Sequence, residues 1–290
     1  MASKFNVRSI SLPCRSHPST IRVEEELSKL KTWEGTSIST SESIGTGLSL
    51  LEDLYICLEG LLNMASTHQV ISHHQGEKCV EEILDGTLII LDICGITRDT
   101  MLQIKENVQA LHSALRRRKG DSSIEKSVAE YNFFTKKMKK NAKKLITSLK
   151  HMESKFGVSP LLDFDHHLCA VLRVLREVII LNLSIFQFLL TFLTVSSSKS
   201  KATKWLLVSK LMHKGVISCE HDSENVNELQ CVEAALSTLL NEGSNGERMQ
   251  TTHERLEALE NAIENVENGL ERVFRRLIKT RASLLNIISQ

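Results

Sequence analysis

Eleven apolar or small residues between positions 80 and 115 follow one another at intervals that alternate strictly between three and four. An α-helix repeats every 3.6 residues, so this alternation places all eleven on one stripe of a single helix. A helix over 76–118 would be about 64 Å long at 1.5 Å per residue. The series therefore predicts an elongated helical protein. Its members are Val80, Ile83, Thr87, Ile90, Cys94, Thr97, Met101, Ile104, Val108, Leu111 and Leu115.

The chain ends in a second long helix, predicted over about 249–288. Apolar residues fill every a and d position of its heptads except the one held by Thr280, and Glu and Arg lie between them. That arrangement predicts a coiled-coil seam. Both closure within one chain and closure between two chains fit the pattern. The seam residues are Leu256, Leu259, Ile263, Val266, Leu270, Val273 and Leu277, followed by Leu284 and Ile287.

The rest of the chain also favours helices, because its prolines are limited to Pro13, Pro18 and Pro160. No stretch alternates with period two over the length of a strand. We predict an all-α fold, an elongated antiparallel helical bundle. Its predicted parts are a disordered basic N-terminal arm (1–20), a short helix plus a Gly/Ser/Thr linker (21–47) and a helical bundle domain (48–290). Further helices are expected at about 20–33, 48–66, 124–156, 200–214 and 225–242.

One apolar segment raises the question of a membrane span. Residues 178–195 are 18 uncharged residues in a row. However, Ser184, Gln187, Thr191 and Thr194 fall within about 80° of one another on a helical wheel. A polar stripe of this kind is typical of a bundle helix. We therefore favour a buried bundle helix over a membrane span or hairpin.

The motifs of common enzymes are absent from the sequence. It has no P-loop and no nucleophile elbow, and His253-Glu254 lacks the second histidine of a zinc-binding H-E-x-x-H. We expect no enzyme activity, no cofactor and no metal. The seven cysteines are scattered without a C-x-x-C pair, which is typical of reduced thiols inside the cell. We expect a cytoplasmic protein, with the plastid or a membrane-associated location as alternatives, since the Ser-rich arm also fits a transit peptide.

Charge is balanced overall at +1 but is segregated along the chain. Residues 105–155 carry a net charge of +9 and residues 220–271 a net charge of −11. We favour two solvated helix faces that attract each other within one bundle. The alternatives are an anionic-membrane contact surface and a nuclear-localisation or nucleic-acid role, and the scarcity of aromatic residues for base stacking disfavours nucleic acid. The candidate anionic-surface contacts are Arg116, Arg117, Arg118, Lys136, Lys137, Lys139 and Lys140.

The N-terminal arm contains one candidate modification motif. Arg8, Ser11 and Pro13 form R-S-x-S-x-P, so phosphorylated Ser11 would offer a 14-3-3 protein a dianion with an upstream arginine and a following proline. An unmodified basic arm is the favoured alternative.

Four segments resemble a plant-specific family, the domain of unknown function 241 that includes the BYPASS-type proteins. They are FNVRSISLPCRSHPSTIRVEEELSKLKTWE near the N-terminus, LSLLEDLYICLEGLLNM (48–64), residues 77–121 and LERVFRRLIKTRASLLNIIS (270–289). The resemblance implies a helical plant protein without catalytic residues. In the BYPASS branch it implies a role in root and shoot development, through restraint of a root-derived mobile signal linked to carotenoid metabolism.

The expected function follows from the resemblance and the helical pattern together. We expect a non-enzymatic interaction or regulatory protein in root and shoot development, with one or more protein partners. The alternative is a peripheral membrane protein that docks through the basic face 116–144 and the helix 178–195.

Overall fold

The fold is built from helices throughout the described part of the chain. A computed structural model describes residues 17–36, 40–117, 121–156, 166–195, 227–243 and 245–289. These ranges contain eight α-helices and no strand, which confirms the all-α prediction. The helices are α1 (Ile21–Thr36), α2 (Ser41–Leu62), α3 (Ala65–Ser72), α4 (Lys78–Arg116), α5 (Asp121–Phe156), α6 (His166–Thr194), α7 (Glu228–Glu242) and α8 (Gly246–Ile288).

The two longest helices, α4 and α8, run antiparallel and share the most extensive contact in the bundle. Lys105 of α4 pairs with Glu267 of α8, with 2.7 Å from Nζ to Oε2. Farther down α4, His112 Nδ1 donates a hydrogen bond to Glu260 Oε1 at 2.7 Å. On its other side α8 runs parallel to α2, since Glu52 pairs with Arg272 and Glu59 with Arg276.

The heptad seam of α8 lies in the core of this one chain. All seven seam residues are buried, and so are all eleven residues of the α4 series. The Sγ of Cys94 on α4 lies 4.0 Å from the carbonyl oxygen of Leu270. Leu277 contacts the same small internal space as Tyr55 of α2 and Ile83 of α4. The seam therefore closes within the chain, against α2 and α4.

Residues 178–194 of the apolar segment belong to α6, the most completely buried of the described helices. Its side chains pack between α4, α5 and α1, and Phe186 and Leu189 are fully enclosed. Gln187 of the predicted polar stripe donates a hydrogen bond from Nε2 to Glu153 of α5 at 2.8 Å. The segment is a buried bundle helix. None of the described helices is both long and apolar enough to cross a bilayer.

The structure corrects the predicted linker. Residues 41–47 form the first turns of α2, and Thr40 caps this helix because its side chain accepts a hydrogen bond from the Ser43 backbone N–H at 3.2 Å. Ile44 and Leu48 are buried, so the core-facing stripe of α2 begins inside the segment read as a linker. The proposed boundary between 47 and 48 therefore falls inside a helix. The short helix α3 was not predicted, and the helix predicted at 200–214 lies outside the described residues.

The last residues of the predicted disordered arm are ordered. Residues 17–20 form a turn against the start of α6, and Thr20 is fully buried. The ring of His17 stacks on His167 with centroids 4.1 Å apart. Ser19 Oγ lies 2.7 Å from His17 Nδ1 and 3.1 Å from His167 Nε2, which ties this turn to α6. Residues 1–16 lie outside the described part of the chain.

Helix α7 begins where α6 ends. Asn227 caps α7 through a reciprocal pair of hydrogen bonds with Gln230. Its side-chain Nδ2 also donates to the carbonyl oxygen of Phe192 on α6 at 3.0 Å. This contact ties the two helix ends together.

Candidate functional site: the cationic face of α5

Helix α5 covers the bundle with one face and presents the other to solvent. Its buried face repeats every three or four residues, and it packs against α6 and α4. The residues of this face include Ile124, Val128, Tyr131, Thr135, Met138, Ala142 and Leu149. The opposite side is therefore free to carry charge.

Five exposed lysines form what we call the cationic face of α5. At 3.6 residues per turn they fall within about 120° around the helix axis. Within the described ranges, none of the five has a carboxylate within the 4.0 Å of an ion pair, whereas Lys105 on α4 is paired with Glu267. Like charges without partners create a positive potential at the surface. The five residues are Lys136, Lys137, Lys140, Lys143 and Lys144.

Lys139 was predicted to be a contact of this surface, and the structure corrects that prediction. Its side chain is only 11% exposed and its Nζ bonds the carboxylate of Glu233 on α7. Position 139 lies about 100° around the helix from Lys140, which turns it toward α7. Lys139 therefore joins α5 to α7, and it lines the basic groove described below as part of an ion pair and not as an exposed lysine.

The predicted arginine cluster lies at a different place on the bundle. Arg116 and Arg117 are exposed at the C-terminal end of α4, where Arg117 Nε donates to the Ser113 carbonyl at 3.2 Å. Lys136 lies 15 residues beyond the start of α5, or about 22 Å along that helix. The structure thus divides the predicted basic surface in two. Arg118 lies outside the described residues.

An exposed aromatic residue accompanies the lysines. Phe133 is 74% exposed, the largest exposure among the apolar side chains of the described ranges. Lys137 and Lys140 lie four and seven residues further along, so all three share one side of α5. The sequence alone assigned Phe133 no role.

Two grooves flank this face. The basic groove, about 670 Å³, is lined by Lys136, Lys140 and Lys143 together with Thr135, Thr147 and Glu233. The apolar groove, about 420 Å³, lies between α4, α5 and α6 and includes Ile96, Phe134, Met138 and Leu190. Lys144 lines both grooves, because it stands on the ridge between them. The run of lysines was visible in the sequence, but the grooves depend on which helices become neighbours.

Charge attraction inside the bundle accounts for part of the segregated charge. In the described part of the chain, the contacts that join the basic segment 105–155 to the acidic segment 220–271 include the ion pairs of Lys105 with Glu267 and of Lys139 with Glu233, and the hydrogen bond between His112 and Glu260. The favoured interpretation of two mutually attracting faces is supported at these positions. It does not extend to the cationic face of α5.

The cysteines and tyrosines of the described residues whose pKa is clearly shifted all have a raised pKa. Burial raises the pKa of the Cys94 thiol to about 12 and raises the pKa of the Tyr55 and Tyr131 hydroxyls above their usual range. A thiol needs a lowered pKa to react as a thiolate at neutral pH. Among the described residues, no three His, Cys, Asp or Glu side chains are grouped so that they could hold a metal ion.

The remaining sequence candidates divide between the core and the undescribed arm. The seven seam residues are buried, so they are not available to a partner in the folded chain. Arg8, Ser11 and Pro13 lie outside the described residues.

Comparison with known proteins identifies a family. No curated protein and no solved structure matches the chain significantly. The sequence model of the family described as Protein BPS1 matches residues 47–287, which includes every helix from α3 to α7, most of α2 and nearly all of α8. The chain therefore belongs to the BPS1 family, and this membership indicates a non-enzymatic plant developmental protein.

Proposed function

We propose that this protein regulates root and shoot development by binding an acidic protein partner through the cationic face of α5. The observation that carries the proposal is the set of five exposed lysines without carboxylate partners in the described ranges. The buried seam supports the same surface, because its residues are not available to a partner in the folded chain. We also propose a cytoplasmic location, in keeping with the scattered thiols.

Charge at such a face favours fast encounter and selectivity more than tight binding. Complementary potentials steer an acidic partner toward the lysines. Each exposed ion pair contributes at most about 1 kcal/mol, so binding depends on several lysines together. The exposed ring of Phe133 supplies the apolar contact that such an interface needs at its centre.

The test is affinity purification of the full-length tagged chain from root tissue, with mass spectrometry and native sizing of the eluate. We expect a stoichiometric partner in the wild-type eluate. We expect its loss from a variant with Lys136→Gln, Lys137→Gln and Lys140→Gln. The matched control is Lys126→Gln, Lys150→Gln and Lys155→Gln, which removes the same charge from exposed positions of α5 outside both grooves. A partnerless wild-type monomer, or equal loss in both variants, would contradict the proposal.

The second candidate function is docking to an anionic membrane, and Phe133 is the observation that favours it. An exposed aromatic ring beside lysines is suited to the boundary between headgroups and acyl chains. The helix 178–195 takes no part in this candidate, because α6 is buried.

Flotation with phosphatidylserine vesicles distinguishes the two candidates. A membrane protein of this kind floats at low salt, and binding falls steeply as salt rises because exposed charges are screened. Phe133→Ser is then expected to reduce flotation without altering the melting temperature, since the ring is 74% exposed. Failure to float at any salt concentration would exclude the membrane candidate.

The arm motif gives a separate proposal of a 14-3-3 partner at phosphorylated Ser11. The support is the residue order of the motif, with Arg8 before Ser11 and Pro13 after it. A Ser11→Ala chain is expected to lose co-purifying 14-3-3 protein, with Ser9→Ala as the neighbouring control. Unchanged recovery from the Ser11→Ala chain would end this proposal.

A further inference from the structure

We infer that the apolar groove between α4, α5 and α6 binds a single-chain anionic amphiphile, a long-chain carboxylate. This inference goes beyond the proposed function and does not depend on it. It rests on an apolar floor and a cationic rim that belong to the same groove.

The floor of the groove is made by well-packed apolar side chains. Met138, Ala142 and Leu190 are each at most 6% exposed, so they hold their positions within the core. Phe134 and Leu145 are partly buried and line the same groove on α5. Ile96 of α4 lines it from the other helix and remains 50% exposed. An apolar chain laid on this floor would cover the surface of Ile96, Phe134 and Leu145 that is now in contact with water.

The size and shape of the groove suit one extended chain. Its volume is about 420 Å³, within the range of ordinary small-molecule sites. It runs along α5 from Phe134 to Ser148, which is about 21 Å at 1.5 Å per residue. A groove of that length accommodates a long, narrow ligand in preference to a compact one.

The rim supplies the charge that selects an anionic head. Lys137 and Lys144 both line the groove and are exposed, and neither has a carboxylate within ion-pair distance in the described ranges. They lie two helical turns apart on the same side of α5. Thr100, Gln103 and Asn141 add neutral hydrogen-bonding groups to the lining. A carboxylate at the rim could accept hydrogen bonds from a lysine ammonium while its chain occupies the floor.

The neighbouring basic groove lacks this combination. Its lining consists of lysines, threonines, Asn132 and Glu233, with no apolar side chain among them. It therefore offers an acyl chain no apolar side chain to pack against. This difference makes Lys136 and Lys140 natural controls, because they line only the basic groove.

The experiment measures displacement of a dansyl-labelled undecanoate from the full-length protein. Oleate is the test competitor, below its micelle concentration, and oleyl alcohol is the uncharged competitor. We expect saturable binding at one site, with displacement by oleate at concentrations about fivefold lower than by the alcohol, as one surface ion pair allows. Lys137→Gln is expected to weaken oleate binding about fivefold, and Lys136→Gln is expected to leave it unchanged.

A second pair of variants tests the floor without altering charge. Ser148 and Thr147 are adjacent and exposed, but Ser148 lines the apolar groove and Thr147 the basic groove. Ser148→Trp is expected to reduce oleate binding at least tenfold, while Thr147→Trp retains it. Circular dichroism and thermal melting identify any variant that fails to fold. If a tryptophan variant fails to fold, the comparison of Lys137→Gln with Lys136→Gln tests the inference. No saturable displacement by oleate, or equal weakening in the test and control variants, would overturn the inference.

Discussion

Gly269 of α8 lies so close to Leu48 of α2 that the glycine leaves no room for a methyl group. A Cβ built at position 269 would stand 2.8 Å from Leu48 Cδ1 and 3.2 Å from Leu48 Cβ. The first separation is shorter than the contacts that Cβ atoms make in folded proteins. The second involves an atom close to the α2 backbone. The contact therefore brings α2 and α8 together beside the seam residue Leu270.

We predict that Gly269→Ala lowers the free energy of unfolding by about 1 kcal/mol. The overpacking cost of about 2 kcal/mol exceeds the gain of about 1 kcal/mol in helix propensity. Gly95→Ala is the matched control, because a Cβ at Gly95 meets nothing within 4 Å. Only the gain in helix propensity then acts on the stability of this variant. Urea denaturation should show Gly95→Ala stabilised by about 1 kcal/mol. Equal shifts in the two variants would contradict the close contact.

Adjacent residues of α8 test where the seam closes. Leu277 is 2% exposed and Ile278 is 49% exposed. We predict that Leu277→Glu prevents folding, because an unpaired charge in the core costs more than about 4 kcal/mol. Ile278→Glu should change the unfolding free energy by no more than about 0.5 kcal/mol. Circular dichroism with native mass spectrometry provides the measurement, and a folded monomeric Leu277→Glu chain would mean that the seam joins two chains.

The ion pair between Lys139 and Glu233 should contribute to the stability of the fold, whereas the exposed lysines around it should not. The two side chains are only 11% and 19% exposed. We predict that Glu233→Gln lowers the free energy of unfolding by about 2 kcal/mol, since it leaves a mostly buried ammonium without this carboxylate. Lys140→Gln is the control from the neighbouring exposed position. In a double-mutant cycle, Lys139→Met should recover part of the loss caused by Glu233→Gln, whereas strictly additive effects would indicate no coupling.

Alkaline pH should destabilise the bundle from about pH 9 upward. Burial raises the pKa of the Cys94 thiol from 9.0 to about 12. The unfolded chain therefore ionises first, so the stability is fully present below pH 9 and is lost as the pH rises toward 12. One such group contributes a slope of up to about 1.4 kcal/mol per pH unit. Tyr55 and Tyr131 act in the same direction at higher pH, because burial raises their pKa as well.

Cys94→Ala isolates the contribution of the thiol. Between pH 9 and 10 the tyrosines of an unfolded chain are still mostly protonated. The variant should therefore lose stability less steeply than the wild type over this interval, whatever its stability at pH 7. Urea denaturation at half-unit steps of pH gives both slopes. Identical slopes would show that Cys94 does not carry a raised pKa.

The long helices could be predicted because their patterns are long. The α4 series repeats without an error from Val80 to Leu115, and every member is buried. The start of α2 was missed for a local reason. Its glycines, serines and threonines suggested a linker, although Ile44 and Leu48 already continue the spacing of Leu51. Thr40 was the available signal, because threonine is a favoured N-cap residue.

The site was harder to predict because equivalent residues receive different partners. Lys139 and Lys140 are adjacent lysines of the same basic run, but only Lys139 points toward α7. That difference depends on Glu233, which lies 94 residues away in the sequence. The apolar groove likewise depends on Ile96 and Leu190 meeting α5 from two other helices. Periodicity indicates which side of a helix is buried, but it does not identify the neighbour.

The hydrogen bond from Asn227 to the Phe192 carbonyl, at 3.0 Å, couples the last turn of α6 to the first turn of α7. The same side chain accepts a hydrogen bond from the Gln230 backbone N–H at 2.9 Å through its Oδ1, so one amide group holds both helix ends. Local opening of either turn therefore breaks a contact of the other, and the two helix ends belong to one cooperative unit of the bundle.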